Sequence, residues 1–399
     1  MIKKRLAVLL LVMALVGLAG CAKTDGAEGS GEAKENPGGP AQSTSDAGPE
    51  DSGPAEHEPI RILSIKEIRP ALLEKLFADG FYWGLGSQRM AWVSSTQVIF
   101  VPENGEGRRR VFLYDTQTDA MTLLHEFSGP DRLAHGTQIR SNEASAYVFF
   151  PGRGLIRGIK VDLAGGAVTE YPLGVYDYEF SSQEASLAYD REGNLAVYDL
   201  SAPDTPVLLI PASEIGPLGT PSWSPDGEYI LITQEADRSP GSATQYKIFD
   251  LQGALRFHME AERGPQEDKG LQWNPDGKGV LIHEVKEDGV TYSFFDLESG
   301  RQRELLTLGQ NPAGGQVICV TRDYAIVYSF QSSGLRMTDF GQQTTTDISG
   351  QQWTDLDIPL PSGVNIPMVY PSQDGKSILL ACDGADAESQ DLYYVMELR

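Results

Sequence analysis

In the stretches "WSPDGEYILI" (223–232) and "WNPDGKGVLI" (273–282) a tryptophan leads into a short polar run, and an apolar run follows. Ser224-Pro225-Asp226-Gly227 has the make-up of a tight turn, with Ser first, Pro fixing φ at the second position and Gly last. The run from Tyr229 to Ile232 lacks the alternation of a half-solvated strand, so it predicts a strand covered on both faces. Further on, "YKIFDL" (246–251) predicts a third strand ending on Asp-Leu, and after a short turn "ALRFHM" predicts a fourth. The unit is strand, turn, strand, loop, strand, turn, strand.

The ending of the third strand recurs along the chain. It stands at Asp115 in "VFLYDT", Asp162 in "IKVDL", Asp199 in "LAVYDL", Asp250 in "YKIFDL", Asp296 in "YSFFDL" and Asp339 in "LRMTDF", with Glu397 of "YYVMEL" in the same place. Seven copies with a period of roughly 40 to 50 residues and four strands each predict an all-β fold, a β-propeller of seven four-stranded blades. Weaker copies of the first turn support it: "FSSQEASLAY" from Phe180, "YPSQDGKSILLA" from Tyr370 and "IRSNEASAYVFF" from Ile139. The last unit stops one strand short, whereas "PIRILSI" (59–65) precedes the first unit with no hairpin partner. That segment is expected to complete the last blade, because an open ring leaves a long unpaired edge. In "IRPALLEKLFADG" the residues Leu72, Leu73, Leu76 and Phe77 share one helical face, between Pro70 and Gly80 as start and stop signals.

These repeats, with their "DL" endings, resemble the TolB-type β-propeller repeat, a relative of the WD repeat. The resemblance implies a propeller used as a platform for binding partners. One departure is plain: the TolB pattern carries a folded α/β domain before the propeller, and here only about twenty-five residues separate the preceding polar segment from the first unit.

Ahead of the repeats, "MIKKRLAVLLLVMALVGLAGC" puts Lys3, Lys4 and Arg5 before an apolar run too short for a comfortable membrane span, the order of an export signal. Leu18-Ala19-Gly20-Cys21 resembles the lipobox of bacterial lipoproteins, which implies cleavage before Cys21 and lipid on its sulfur. Residues 22–58 contain no Ile, Leu, Val, Phe, Tyr or Trp, so they cannot bury enough apolar surface to offset chain entropy. They are expected to form a tether with an end-to-end distance of roughly 35 Å. The predicted organisation is a signal over 1–20, a lipidated Cys21 with a disordered acidic tether over 21–58, and the propeller over 59–399.

Composition narrows the function. The formal charge is −24, and loss of the signal removes only positive charge, which excludes nucleic acid and adhesion to anionic headgroups as partners. Of three cysteines, Cys319 and Cys382 lie in apolar strand-like runs as buried free thiols, or as a disulfide if geometry permits. No G-x-S-x-G elbow, H-E-x-x-H helix or P-loop is present, and no cofactor is expected. The recurrent aspartates read as turn formers, and Trp92, Trp223 and Trp273 as packing between blades.

The first and third connections of each unit emerge on one face as tight turns. The second connections and the links between units emerge on the other face and are longer, as in "EADRSPGSATQ" and "SGQQWTDLDIPLPSG". Loops on a rigid scaffold are where binding usually resides. There Arg108, Arg109 and Arg110 form the densest positive run, suited to a carboxylate or phosphate, or else simply a solvated hairpin with Arg110 entering the strand. Trp353, followed by Asp355 and Asp357, either stacks on a sugar ring or anchors a peptide, or plugs the core. Asp383, Asp386, Glu388 and Asp391 cluster as calcium ligands would but lack the D-x-D-x-D-G order, so no metal is expected. The sequence thus predicts a lipid-anchored, extracytoplasmic and monomeric binding or assembly platform. Its expected partner is an envelope protein or a cell-wall component. The alternatives are a propeller enzyme acting on a glycan or peptide, and an envelope sensor domain.

Overall fold

The computed structural model describes residues 60–399 apart from 79–80, 83–89, 105, 107, 128–137, 151–156, 173–176, 191, 203–204, 217–218, 236–242, 263–267, 287–288, 310–314, 330–333, 343–353, 357–367 and 383–391. The signal and the tether lie outside the described residues. Among the described residues, no helix is long and apolar enough to cross a membrane.

Seven antiparallel sheets follow one another along the chain as the seven blades of a β-propeller. Their innermost strands are Met90–Trp92, Gln138–Ser141, Asp177–Phe180, Thr220–Trp223, Asp268–Trp273, Gly315–Val320 and Met368–Pro371. Blade 4 shows the plan, running outward through Tyr229–Gln234 and Ala243–Asp250 to Leu255–Glu262. The third strands of blades 1 to 6 end on Asp115, Asp162, Asp199, Asp250, Asp296 and Asp339, the positions that set the period. Each of these carboxylates accepts backbone amides of the hairpin it starts, as Asp250 does from Gln252 (2.9 Å) and Ala254 (2.8 Å).

The first turn of each blade is equally local in origin. Ser224 Oγ accepts the amides of Glu228 (3.1 Å) and Tyr229 (3.0 Å), while the Gly227 amide donates to the Ser224 carbonyl (2.9 Å). Gly227 sits at φ 77°, a conformation open to glycine at little cost.

Ring closure follows the expected route. Strand Ile62–Glu67 pairs antiparallel with Leu392–Leu398 as the outermost strand of blade 7, with Ile65 opposite Met396 and Lys66 opposite Val395. Helix Pro70–Phe77 then buries Leu72, Leu73 and Leu76 among Trp92, Phe100, Leu379 and Tyr393, so it packs where blade 7 meets blade 1. Asp119 accepts Tyr114 Oη (2.8 Å) and pairs with both Lys66 (3.3 Å) and Arg69, tying this entry segment to blade 1. Blade 1 is wider than anticipated, since Phe81–Tyr82 pairs with Glu103–Asn104 and adds two short strands.

Apolar burial is distributed between neighbouring blades. Separate clusters join blades 1 and 2, 3 and 4, 4 and 5, 5 and 6, 6 and 7, and 7 and 1. Blades 2 and 3 meet through the buried Phe180 ring, which lies against Gly158, and through polar contacts. There Glu184 accepts Tyr147 Oη (3.1 Å) and Lys160 Nζ, and Asn142 Nδ2 donates to the Ser182 carbonyl (2.8 Å). Cys319 and Cys382 are free thiols within the cluster of blades 6 and 7.

Candidate functional site

When the seven innermost strands are aligned on their first turns, the residue two places before each turn is Ala91, Arg140, Glu179, Ser222, Gln272, Cys319 and Tyr370 in blade order. All of these except Glu179 line one cavity of about 730 Å³ on the inner side of the ring. The volume falls in the range of small-molecule sites. The ring has two halves: Arg140, Glu179, Ser222 and Gln272 give blades 2 to 5 a polar arc, while Cys319, Tyr370 and Ala91 give blades 6, 7 and 1 a mainly apolar one.

Glu179 sits behind Arg140 and is 3% exposed. Arg140 Nη2 donates to its Oε1, and the Trp223 amide donates to its Oε2 (2.7 Å). Burial pushes the carboxyl up from its ordinary range, and the Arg140 guanidinium opposes that shift. With one strong donor on each oxygen, this carboxylate fixes blade 2 to blade 3 and blade 3 to blade 4. Its place is that of a positioning residue.

The tryptophans one position further on do join blades. Trp92 Nε1 donates to the Tyr370 carbonyl (2.7 Å) and Trp223 Nε1 to the Glu179 carbonyl (3.3 Å), in each case reaching the preceding blade. Trp273 breaks the series, because its buried Nε1 has no partner among the described residues although the indole lines the cavity. Beside it, the His283 ring lies where a Cβ on Gly270 would come within 2.1 Å, so the missing side chain lets the imidazole reach the cavity wall. Desolvation pushes the Cys319 thiol up to about 12, which leaves it a poor nucleophile near neutral pH.

One end of the cavity is spanned. Gln373, in the first turn of blade 7, donates through Nε2 to the Pro225 carbonyl in the first turn of blade 4 (3.4 Å). Other first turns are tied to their neighbours. Lys278 pairs with Asp226 (3.0 Å) and Glu228 (3.1 Å), Arg322 with Asp276 (2.7 Å), and Ser182 Oγ donates to the Pro225 carbonyl (3.2 Å). The turn face is a cross-linked surface.

The arginine run does not present free charge. Arg109 is 4% exposed and pairs with Glu103 (3.1 Å), Arg108 pairs with Glu106 (3.1 Å), and Arg110 pairs with Glu126 (2.9 Å). Arg109 and Arg110 belong to strand Arg109–Asp115, so the run opens a strand and its charge is met within blade 1. Asp355 lies in Thr354–Leu356, the outermost strand of blade 6, opposite Arg336 in register, and so belongs to a strand and not, as expected, to a loop of the long-connection face; the strand starts at Thr354 opposite Met337, at the turn-face end. Trp353 and the acidic group Asp383, Asp386, Glu388 and Asp391 lie outside the described residues, as does Cys21. Among the described residues no three acidic, His or Cys side chains gather as metal ligands.

The axial residues escaped motif reading because each comes from a different blade. A signal existed: Arg140 and Glu179 are charged residues placed two positions before a turn, inside strands whose other copies carry Ala, Ser, Gln, Cys or Tyr there. Aligning the repeats by turn exposes it.

No family model and no curated protein matches the chain. Among solved structures, it is similar to an oligogalacturonate lyase in complex with manganese at 14% identity, over 85% of this chain and 98% of that one, with a TM-score of 0.47. It is also similar to the oligogalacturonate lyase of Vibrio parahaemolyticus at 12% identity, over 85% and 96% of the two chains, with a TM-score of 0.47. A third similarity, at 12% identity over 79% and 98% with a TM-score of 0.43, is to a β-propeller domain from Myceliophteria thermophila. At these identities no site residue is carried over to this chain.

Proposed function

We propose that this protein is a lipid-tethered binding propeller of the bacterial envelope, which captures an envelope protein on the face bearing its long connections. The observation that carries the reading is the difference between the two faces. The turn face carries the short first connections, cross-tied by Lys278, Arg322, Ser182 and Gln373, and third connections that are short except for the one between Asp339 and Thr354 in blade 6. The second connections and the links between blades run between strand ends on the other face, on a scaffold fixed by inter-blade packing, the arrangement in which binding loops are usually found. Lipid on Cys21 and a tether of roughly 35 Å would hold that scaffold near a membrane without laying it on the surface.

Cross-linking in intact envelopes, followed by identification of captured proteins, tests the reading. A defined partner whose capture is weakened by Arg108→Ser, in the second connection of blade 1, and unchanged by Glu298→Lys on the turn face, supports it. Capture abolished by Glu298→Lys and unaffected by Arg108→Ser assigns the wrong face. Glu228 and Lys278 are unsuitable as controls, since each belongs to the ion-pair network joining blades 4 and 5. Lipidation is tested separately by the intact mass of the membrane form, which Cys21→Ser should reduce by the mass of the acyl groups.

A further inference from the structure

We propose that the axial cavity is a binding site for a neutral saccharide of about two rings. Three observations converge. First, among the described residues Arg140 is the one Lys, Arg, Asp or Glu side chain that lines the cavity, and its Nη2 is already paired with Glu179 behind it, which leaves its Nε as a further donor to the ligand; the chain as a whole is strongly acidic, so the site is not built to concentrate anions. Second, the polar arc presents side chains in need of partners. Ser222 Oγ and the Gln272 amide line the cavity, Gln272 is exposed to it, and neither side chain has a hydrogen-bond partner among the described residues. Together they offer donors and acceptors to vicinal hydroxyls. Third, the opposite arc is apolar and carries the Tyr370 ring.

A pyranose has hydroxyls around its edge and a C–H face that packs on an aromatic ring, so it matches both arcs at once. A fully apolar ligand would leave Ser222 and Gln272 desolvated and unpaired, and a fully polar one would waste the Tyr370 side. Gln373 bridges the turn-face end of the cavity. The site is independent of whether the face of the long connections also captures a protein.

The test uses the full chain in detergent, titrated with maltose, cellobiose and N,N′-diacetylchitobiose, with digalacturonate as the charged counterpart. Binding is read by intrinsic tryptophan fluorescence and by saturation-transfer NMR. Saturable binding of at least one neutral disaccharide is expected, more tightly than digalacturonate. Gln272→Leu and Tyr370→Leu should each weaken it by roughly fivefold or more. Ser222→Ala supplies a second polar-arc variant should Gln272→Leu lower the melting temperature. Failure of all three neutral probes to bind, tighter binding of digalacturonate, or parental affinity in the variants overturns the proposal.

Discussion

At the scale of single residues, the ring is ordered by side chains whose partners lie in the next blade. Removing one member of the buried Arg140–Glu179 pair should cost about 3–5 kcal/mol, because the other charge is left without its partner. Glu179→Leu alone is therefore expected to lower stability strongly in urea unfolding, while the double variant Arg140→Leu/Glu179→Leu should recover most of the loss. Equal losses in the single and double variants would remove the pair from the account. The hairpin aspartates add a pH dependence of known sign. Amide donors within the hairpins help hold Asp115, Asp250 and Asp296 below the usual carboxylate range, against desolvation. Their stabilisation is complete above the unfolded aspartate value of about 3.9 and is lost as pH falls through the folded values. A melting temperature that is flat from neutral pH to about pH 5 and then drops below pH 4 is the expected thermal profile.

At the scale of elements, the decisive strand is the first. Ile62–Glu67 supplies the outer strand of a blade whose other strands lie at the opposite end of the chain, and backbone bonds between Arg61 and Arg399 (3.1 and 2.9 Å) fasten the two ends together. Deleting residues 59–67 should destabilise the whole domain, whereas deleting residues 24–56 should leave the melting temperature within a degree or so. Equal tolerance of both deletions would mean that the ring does not depend on this strand. The helix that follows was legible from its apolar face and from Pro70. The extra pair Phe81–Tyr82 and Glu103–Asn104 was not, because two-residue strands carry no periodicity to read.

At the scale of the whole molecule, apolar clusters at six of the seven blade junctions, with the contacts of Glu184 and Asn142 at the junction of blades 2 and 3, predict one cooperative transition rather than blade-by-blade melting. Cys382 reports on it, since it is buried in the cluster of blades 6 and 7. In a Cys21→Ser/Cys319→Ser background it should resist thiol reagents at neutral pH until the urea midpoint defined by tryptophan fluorescence. Labelling well before that midpoint would show that blades 6 and 7 open independently.

The sequence by itself determined what is local and repeated. Turn chemistry at Ser224-Pro225-Asp226-Gly227, the hairpin aspartates and the double-sided apolar strands act within a few residues, so they fixed the blade and, by counting, favoured seven of them over six, which the seven sheets bear out. The missing last strand even predicted how the ring closes. Tertiary structure alone decided what depends on residues brought together from different blades. The run Arg108 to Arg110 reads in sequence either as an anion site or as a hairpin with Arg110 entering the strand, and only laying the strands of blade 1 side by side pairs its charges with Glu103, Glu106 and Glu126. The axial ring of Arg140, Glu179, Ser222, Gln272 and Tyr370 has the opposite history. Its members come from different blades, at least 39 residues apart, and form no motif; only closure of the ring brings Arg140, Ser222, Gln272 and Tyr370 around one cavity, with Glu179 behind Arg140.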